Sequence, residues 1–347
     1  MVQSLDKALK CFSFPDSMIE AFKLGINSQP FPNPKVGAVV TDKYFKIKSK
    51  GYHKGPGFPH AEIDALKNVE INPDDILFVT LEPCFHSDTS PSCASEIIKY
   101  GIKNIYYGGI DQDIRTNGKS IQKLNDNKVK TILVEGVNEL LNPHYINQKI
   151  NKKKVTYIGK LAVSSDNFIY SEKNKYISNK ESLVITHILR ANINSILIGK
   201  NTFIIDNPLL DTRFLENLDV NLNPLKFVLW GNDKNILNFI KEDFIFLTNF
   251  SIEGYKNIVN IGNLTFKNIN DYFKEIDNFS VLIEGGNKIH EYFLKNNSYD
   301  NFYLFKSSNE LGDGLKITRE IDLLNVEKYS NKEIQLIDNT LNIYTRY

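Results

Sequence analysis

Apolar runs of strand length recur along the whole chain with helically patterned stretches between them, and this alternation constrains the fold more than any other feature. Residues 36–40 (Val-Gly-Ala-Val-Val), 76–80, 105–107 and 131–134 read as strands, and 62–68 and 92–100 read as helices. Strands separated by helices predict an α/β layered fold. The polar run 151–154 (Asn-Lys-Lys-Lys) interrupts the pattern, and a charged, coreless stretch at mid-chain is where a domain edge is expected. A second α/β series follows, with strands at 157–163, 195–198, 227–230, 244–247, 281–283 and 302–305. A chain of 347 residues exceeds what one core usually serves, so two domains are expected, 1–150 and 151–347. The Asn-rich stretch 217–223 reads as a loop.

Charge narrows the partners. The chain carries 42 Lys plus Arg against 41 Asp plus Glu, a net charge of +1. A nucleic-acid binder more often shows a basic excess, so no polyanionic partner is expected. Small phosphorylated substrates stay open, because a few placed arginines suffice. Three cysteines, Cys11, Cys84 and Cys93, make a poor disulfide framework and fit a reducing compartment. Residues 1–21 hold no apolar run of signal-peptide length, and no segment approaches the roughly 18 apolar residues of a membrane span. A cytoplasmic location and no membrane partner are therefore expected.

The chemistry concentrates in His60-Ala61-Glu62, Pro83-Cys84 and Cys93. Zinc favours nitrogen and thiolate ligands in a tetrahedron, and a catalytic site keeps three protein ligands and one open position. His60, Cys84 and Cys93 supply such a set for one zinc. The metal lowers the pKa of a water towards ~7. Glu62, two residues past the histidine, is free to take that water's proton and deliver it to a ring nitrogen and the leaving ammonia. His-x-Glu with a later Pro-Cys is the recognised signature of zinc deaminases. Two other readings compete: buried cysteines with no metal, and a structural zinc, which needs a fourth ligand that His86 could supply.

Flanking residues define the class further. Asn33-Pro34-Lys35-Val36-Gly37-Ala38-Val39-Val40 precedes Gly51-Tyr52-His53-Lys54-Gly55-Pro56-Gly57-Phe58-Pro59-His60, and Thr80-Leu81-Glu82-Pro83-Cys84-Phe85-His86 follows. Over residues 14–147 this resembles the bifunctional riboflavin-biosynthesis deaminase–reductases. Eight residues separate Cys84 from Cys93, as in that family, where cytidine and tRNA adenosine deaminases typically have two. The resemblance implies an N-terminal cytidine-deaminase-like three-layer α/β/α domain, with Asn33, His53 and His86 lining a pyrimidine pocket. The chain departs from the family at Asp88-Thr89-Ser90, where an arginine that could meet a substrate phosphate is absent, and at Asp111-Gln112-Asp113.

The second half lacks a Gly-x-Gly-x-x-Gly fingerprint, so a standard dinucleotide fold is not supported. It has Val281-Leu282-Ile283-Glu284-Gly285-Gly286-Asn287 ahead of a helix-like stretch. A strand, paired glycines and a helix start suit a phosphate, although such a turn is often only a turn. Lys160-Leu161-Ala162-Val163-Ser164-Ser165-Asp166, Arg190-Ala191, Thr202 and 206–213 accompany it in an order that resembles the reductase half of the same family. The resemblance implies a dihydrofolate-reductase-like α/β domain using NADPH. By motif position, Val163, Tyr176, Thr202, Asp206 and the stretch Gly286, Asn287, Lys288, Ile289, His290, Glu291 and Tyr292 would touch NADPH. Asn174, Arg190, Leu210, Arg213 and Glu284 would touch substrate. Arg190 and Arg213 are expected to meet its phosphate, since guanidinium pairs bidentately with phosphate. Asn167, Tyr176, Ser178 and Ser307-Ser308 depart from the usual family residues.

The resulting expectation is a bifunctional enzyme. One domain hydrolyses a ring amino group of a phosphorylated diamino-hydroxy-ribosylaminopyrimidine, and the other reduces its ribosyl group to ribityl. A homodimer through the reductase domain is implied by the resemblance alone. The alternatives are a deaminase of nucleic acid or nucleosides with an inactive reductase-like half, and a non-catalytic zinc-stabilised binding protein.

Overall fold

A computed structural model describes residues 2–28, 33–67, 69–86, 91–145, 155–173, 177–215, 222–318 and 328–346. The run 151–154, most of 217–223, and Asp88, Thr89, Ser90, Asn174 and Tyr176 lie outside the described residues. The chain falls into two compact units, one built from Val2–Lys152 and the other from Lys153–Glu216 and Leu222–Tyr347.

The first unit opens with helices α1 (Val2–Lys10) and α2 (Asp16–Ile26). Strands β1 (Gly37–Thr41) and β2 (Ile47–Tyr52) form a hairpin, followed by α3 (Ala61–Leu66) and β3 (Ile76–Val79). Then come α4 (Cys93–Tyr100), β4 (Asn104–Tyr107), α5 (Lys119–Asp126), β5 (Lys130–Leu133) and α6 (Val137–Leu141). The sheet order is β2-β1-β3-β4-β5, with β1 antiparallel to both neighbours and β3, β4 and β5 parallel.

Successive side chains of a strand point to opposite faces, and this makes three layers. Ala38, Val40, Leu77 and Val79 share a core with Ala61, Ala65 and Leu66 of α3, Ala94 and Ile97 of α4 and Leu124 of α5. Gly37 faces the other way, where α2 packs so closely that a Cβ would stand 2.0 Å from the Ala21 carbonyl oxygen. Gly51 performs the same service for α3, its absent Cβ lying 2.4 Å from the Ala61 oxygen. Both glycines set how near a helix approaches the sheet.

In the second unit, β6 (Thr156–Val163), β7 (Phe168–Tyr170), α7 (Lys180–Ala191), β8 (Ser195–Gly199) and α8 (Lys200–Asp206) lead to a short 3-10 turn at Arg213–Leu215. Strands β9 (Leu225–Gly231), β10 (Phe244–Thr248) and β11 (Ile258–Asn260) precede α9 (Phe266–Glu275), β12 (Ser280–Glu284) and α10 (Asn287–Lys295). The unit ends with β13 (Asn301–Lys306), β14 (Leu315–Lys316), β15 (Tyr329–Leu336) and β16 (Asn339–Arg346). Nine strands form one sheet, β11-β10-β9-β8-β12-β6-β13-β16-β15, parallel from β11 to β13 and closed by the antiparallel β15–β16 hairpin. β7 and β14 pair separately. At the centre, β8 runs directly into α8 and β12 into α10. Carboxyl ends of parallel strands are where α/β proteins place ligands.

Candidate active sites

In the first unit, three metal-ligating side chains converge. His60 is the N-cap of α3, and its side chain makes no cap hydrogen bond. Cys93 is the first residue of α4, whose N-cap Ser92 accepts from the Ser95 amide. Cys84 follows β3 in a loop, and α4 reaches back to it. The Cys93 amide donates to Cys84 Sγ at 3.2 Å, and the Ala94 amide donates to the Cys84 carbonyl at 3.3 Å. Orphan amides at a helix start favour a thiolate. The Cys93 side chain, followed by His60 and the Cys93 amide, holds the Cys84 thiol well below its usual range. His60 Nδ1 stands 3.2 Å from Cys93 Sγ.

Donor atoms of His60, Cys84 and Cys93 all lie within 4.8 Å of one another. One imidazole nitrogen and two thiol sulfurs fit zinc, and three donors leave one position of a tetrahedron open. His86 is outside this group; its Nδ1 lies 3.3 Å from Thr116 Oγ1. Among the described residues, no fourth donor joins the set. Glu62 is buried in the first turn of α3, and burial pushes its carboxyl up to about 7.

The expected pocket residues are placed unevenly. His53 is buried, with its ring edge-on to His60 at a centroid distance of 5.3 Å. His53 Nδ1 lies 3.3 Å from the Pro59 carbonyl, which can only accept, so Nδ1 carries the proton and Nε2 is the acceptor. Asn33 sits in the exposed bend before β1.

Glu82 is a residue that motif reading passed over. Its buried carboxylate accepts from the amides of Asp111, Gly118 and Ser120 and from Ser120 Oγ, at 3.0, 2.9, 3.2 and 2.6 Å. It therefore fastens the start of α5 and the 111–118 segment to the cysteine loop. Its place next to Pro83-Cys84 was the available signal. Asp111, also buried, accepts from Tyr145 Oη at 2.6 Å.

In the second unit the two arginines expected at the phosphate are placed differently. Arg190 Nε and Nη2 form a bidentate ion pair with Glu284 at 2.8 and 2.9 Å, and Nη1 donates to the Asp211 carbonyl at 3.2 Å. Its fork is occupied by protein, because a buried carboxylate at the end of β12 needs a cation. Burial alone would raise the Glu284 carboxyl, but Arg190 holds it down at about 2. Lys160 Nζ stands 4.0 Å from the same carboxylate. Arg213 is the exposed guanidinium, paired with Asp211 and resting over the Phe214 ring at 5.5 Å. Leu210 is buried with a backbone φ of 49°, a strained conformation for a branched side chain, where the chain turns towards Asp211. His187, one turn before Arg190, was also passed over; its Nδ1 accepts from the Phe214 amide at 3.5 Å.

Among the residues expected at NADPH, Thr202 lies in the first turn of α8 and Gly286 caps α10. Gly285 has φ of 136°, and a Cβ there would stand 2.9 Å from Thr202 Oγ1, so the two helix starts meet closely. Val163 is buried at the end of β6, and Asp206 is exposed at the end of α8. The side chains of the 286–292 stretch are placed unevenly. Ile289 is buried in the core, fully buried His290 bonds Tyr299 Oη at 2.7 Å, and Tyr292 Oη donates to the Leu264 carbonyl at 3.0 Å. Glu291 pairs with Lys295, Lys288 is exposed, and Asn287 holds the 316–318 backbone through Lys316 and Thr318. Most of these side chains are committed to packing, since a helix lying on a sheet must bury one face. The backbone at the helix start and the exposed Lys288 remain open to an anion.

Known proteins match both halves. Residues 16–109 match the family described as the cytidine and deoxycytidylate deaminase zinc-binding region, and residues 153–342 match the RibD C-terminal domain. The two units thus define a class: a zinc-dependent deaminase joined in one chain to an NADPH-using reductase of dihydrofolate-reductase-like fold. The riboflavin biosynthesis protein RibD of Aquifex aeolicus is 30% identical over 338 residues, covering 90% of this chain and 92% of that protein. That of Chlamydia muridarum is 27% identical over 335 residues and covers 88% of each. The solved structure of a diaminohydroxyphosphoribosylaminopyrimidine deaminase/5-amino-6-(5-phosphoribosylamino)uracil reductase from Thermotoga maritima matches 98% of this chain and 99% of its own, with 26% identity and a TM-score of 0.63. Acinetobacter baumannii RibD has the same fold, with a TM-score of 0.61 over 99% of both chains at 23% identity. The chain belongs to the RibD family of bifunctional riboflavin-biosynthesis enzymes.

Proposed function

We propose that the first unit hydrolyses a ring amino group of a phosphorylated diamino-hydroxy-ribosylaminopyrimidine, and that the second reduces the ribosyl group of the product to ribityl. The observation that carries this reading is the three-donor set of His60, Cys84 and Cys93 beside a buried, otherwise unassigned Glu62. Zinc held there supplies Lewis acidity that makes a water nucleophilic near neutral pH. Glu62 takes the proton of the attacking water and passes protons to the ring nitrogen and to the departing ammonia. Its raised pKa suits a group that must both accept and give a proton. His53 offers an acceptor at Nε2, and Asn33 and His86 complete the pocket.

NADPH supplies the hydride in the second unit, while the protein binds and orients. The starts of α8 and α10, with Thr202 and Gly286, receive its phosphates, aided by Val163, Tyr176 and Asp206. Arg213 takes the substrate phosphate, and Asn174, Leu210 and Glu284 contact the rest. Arg190 serves by keeping Glu284 ionised and aimed. We read 1–150 and 151–347 as the two catalytic domains of a cytoplasmic homodimer. No helix among the described residues is long and apolar enough to cross a membrane.

Metal analysis tests the first half directly. Purified chain should hold one zinc, and Cys84→Ser should lose both the metal and the deamination. A stoichiometric zinc retained by Cys84→Ser would remove Cys84 from the ligand set.

A further inference from the structure

We propose that Thr116 is a positioning residue that fixes the tautomer of His86, so that His86 presents an N–H donor at Nε2. This rests on the reading that His86 lines the deaminase pocket.

Thr116 is fully buried. Its Oγ1 lies 3.2 Å from the Phe85 amide nitrogen and 3.3 Å from His86 Nδ1. The Phe85 N–H can only donate, so the oxygen accepts there. The hydroxyl proton then needs an acceptor of its own. Among the described residues, His86 Nδ1 is the one atom bonded to Oγ1 that can accept. A proton on Nδ1 would instead point at an oxygen already receiving Phe85 and would orphan the buried hydroxyl hydrogen. Buried hydroxyls are rarely left without a partner, because the lost water is not replaced. Nδ1 is therefore the acceptor, and in a neutral imidazole the hydrogen sits on Nε2.

The hydroxyl is held in place by its surroundings. The Thr116 amide donates to the Asp113 carbonyl, and the Thr116 carbonyl accepts from the Lys119 amide, each at 2.8 Å. Glu82 fastens the same 111–120 segment on the other side of Cys84, through Asp111, Gly118 and Ser120. Segments 82–86 and 111–120 are thus joined at two points that bracket a zinc ligand. His53 and His86 carry opposite tautomers: His53 offers an acceptor and His86 a donor. A donor at His86 favours a pyrimidine carbonyl or ring-nitrogen lone pair and disfavours an amino group on that edge. The pair can tell the two edges of the ring apart.

Long-range proton–nitrogen NMR of the zinc-loaded full chain, in mildly alkaline buffer, reads the tautomer. The His86 signals are assigned by their loss in His86→Gln. Wild type should show a protonated Nε2 and an unprotonated Nδ1. Thr116→Val keeps the shape and removes the hydroxyl; it should give mixed tautomers and raise KM for the pyrimidine about three- to tenfold, the loss of one hydrogen bond, with kcat nearly kept. Thr116→Ser should restore both readouts. A wild-type proton on Nδ1, or an unchanged spectrum in Thr116→Val, overturns the proposal. Wild-type chain without deaminase turnover would overturn the functional reading, while the spectra still decide the tautomer.

Discussion

Burial of a carboxyl has opposite outcomes at Glu62 and Glu284. At Glu62 burial dominates and raises the pKa to about 7; at Glu284 the Arg190 guanidinium overcomes burial and holds it at about 2. The first is suited to carrying protons, the second to staying charged. Glu62→Gln keeps the size and removes the carrier, so deamination should fall by ~10²–10⁴, the usual yield of general acid–base catalysis. Zinc content should not change, and a loss of zinc would show that Glu62 is structural. The two arginines should separate in the same way. Arg190→Ala strands a buried carboxylate and should destabilise the second unit by about 3–5 kcal/mol in denaturant unfolding. Arg213→Ala should leave stability within about 0.5 kcal/mol, as for an exposed side chain. It should nevertheless raise the reductase KM roughly 10- to 150-fold, the equivalent of one charge-assisted contact of about 1.5–3 kcal/mol. Dephosphorylated substrate should lose little more; equal loss with both substrates would make Arg213 structural. The zinc ligands were legible because residue type and order alone specify the chemistry. The Arg190–Glu284 pair was not, since its partners lie 94 residues apart and nothing local marks an arginine as already paired.

Elements depend on a few buried polar groups. Glu82 receives the amides at the start of α5, so Glu82→Ala should lower the stability of the first unit by about 1.5–3 kcal/mol, the scale of hydrogen bonding to a charged group. The matching measurement is hydrogen exchange of the Gly118 and Ser120 amides, which should accelerate in the variant and stay protected if the cap is unimportant. Helices α7 and α10 each carry a buried histidine. Burial, then Arg190, lowers His187 to about 3, and burial, then Lys160, lowers His290 to about 3. Native chain therefore binds fewer protons than unfolded chain between the ordinary value near 6.5 and about 3. Stability of the second unit is full above that window and falls as pH drops through it, by up to about 1.4 kcal/mol per pH unit for each ring. The single tryptophan, Trp230, lies on β9 and reports this unit by fluorescence. His290→Gln should flatten the acid slope by one proton; an unchanged slope would mean that His290 is protonated in the native state. The central strands were legible as apolar runs. β2 and β15 were not, because an edge strand carries polar residues: β15 reads Tyr-Ser-Asn-Lys-Glu-Ile-Gln-Leu and is half exposed.

Across the whole molecule, each candidate site is contained within one compact unit, so the two activities should be separable by mutation. The α/β alternation forecast the architecture because parallel strands buried on both faces must be apolar throughout. It did not forecast the sheet order, in which β12 enters between β8 and β6, since that order is set by tertiary packing. The central claim is that one chain performs a hydrolysis and then a reduction on one pyrimidine. Mass analysis of products from zinc-loaded wild-type chain, supplied with the phosphorylated diamino-hydroxy-ribosylaminopyrimidine, tests it directly. Without NADPH, the product should be the deaminated ribosylaminopyrimidine alone. With NADPH, that species should give way to one heavier by two hydrogens, with one NADPH oxidised per ammonia released. Reduced product still carrying the amino group, or no ammonia under either condition, would contradict the account.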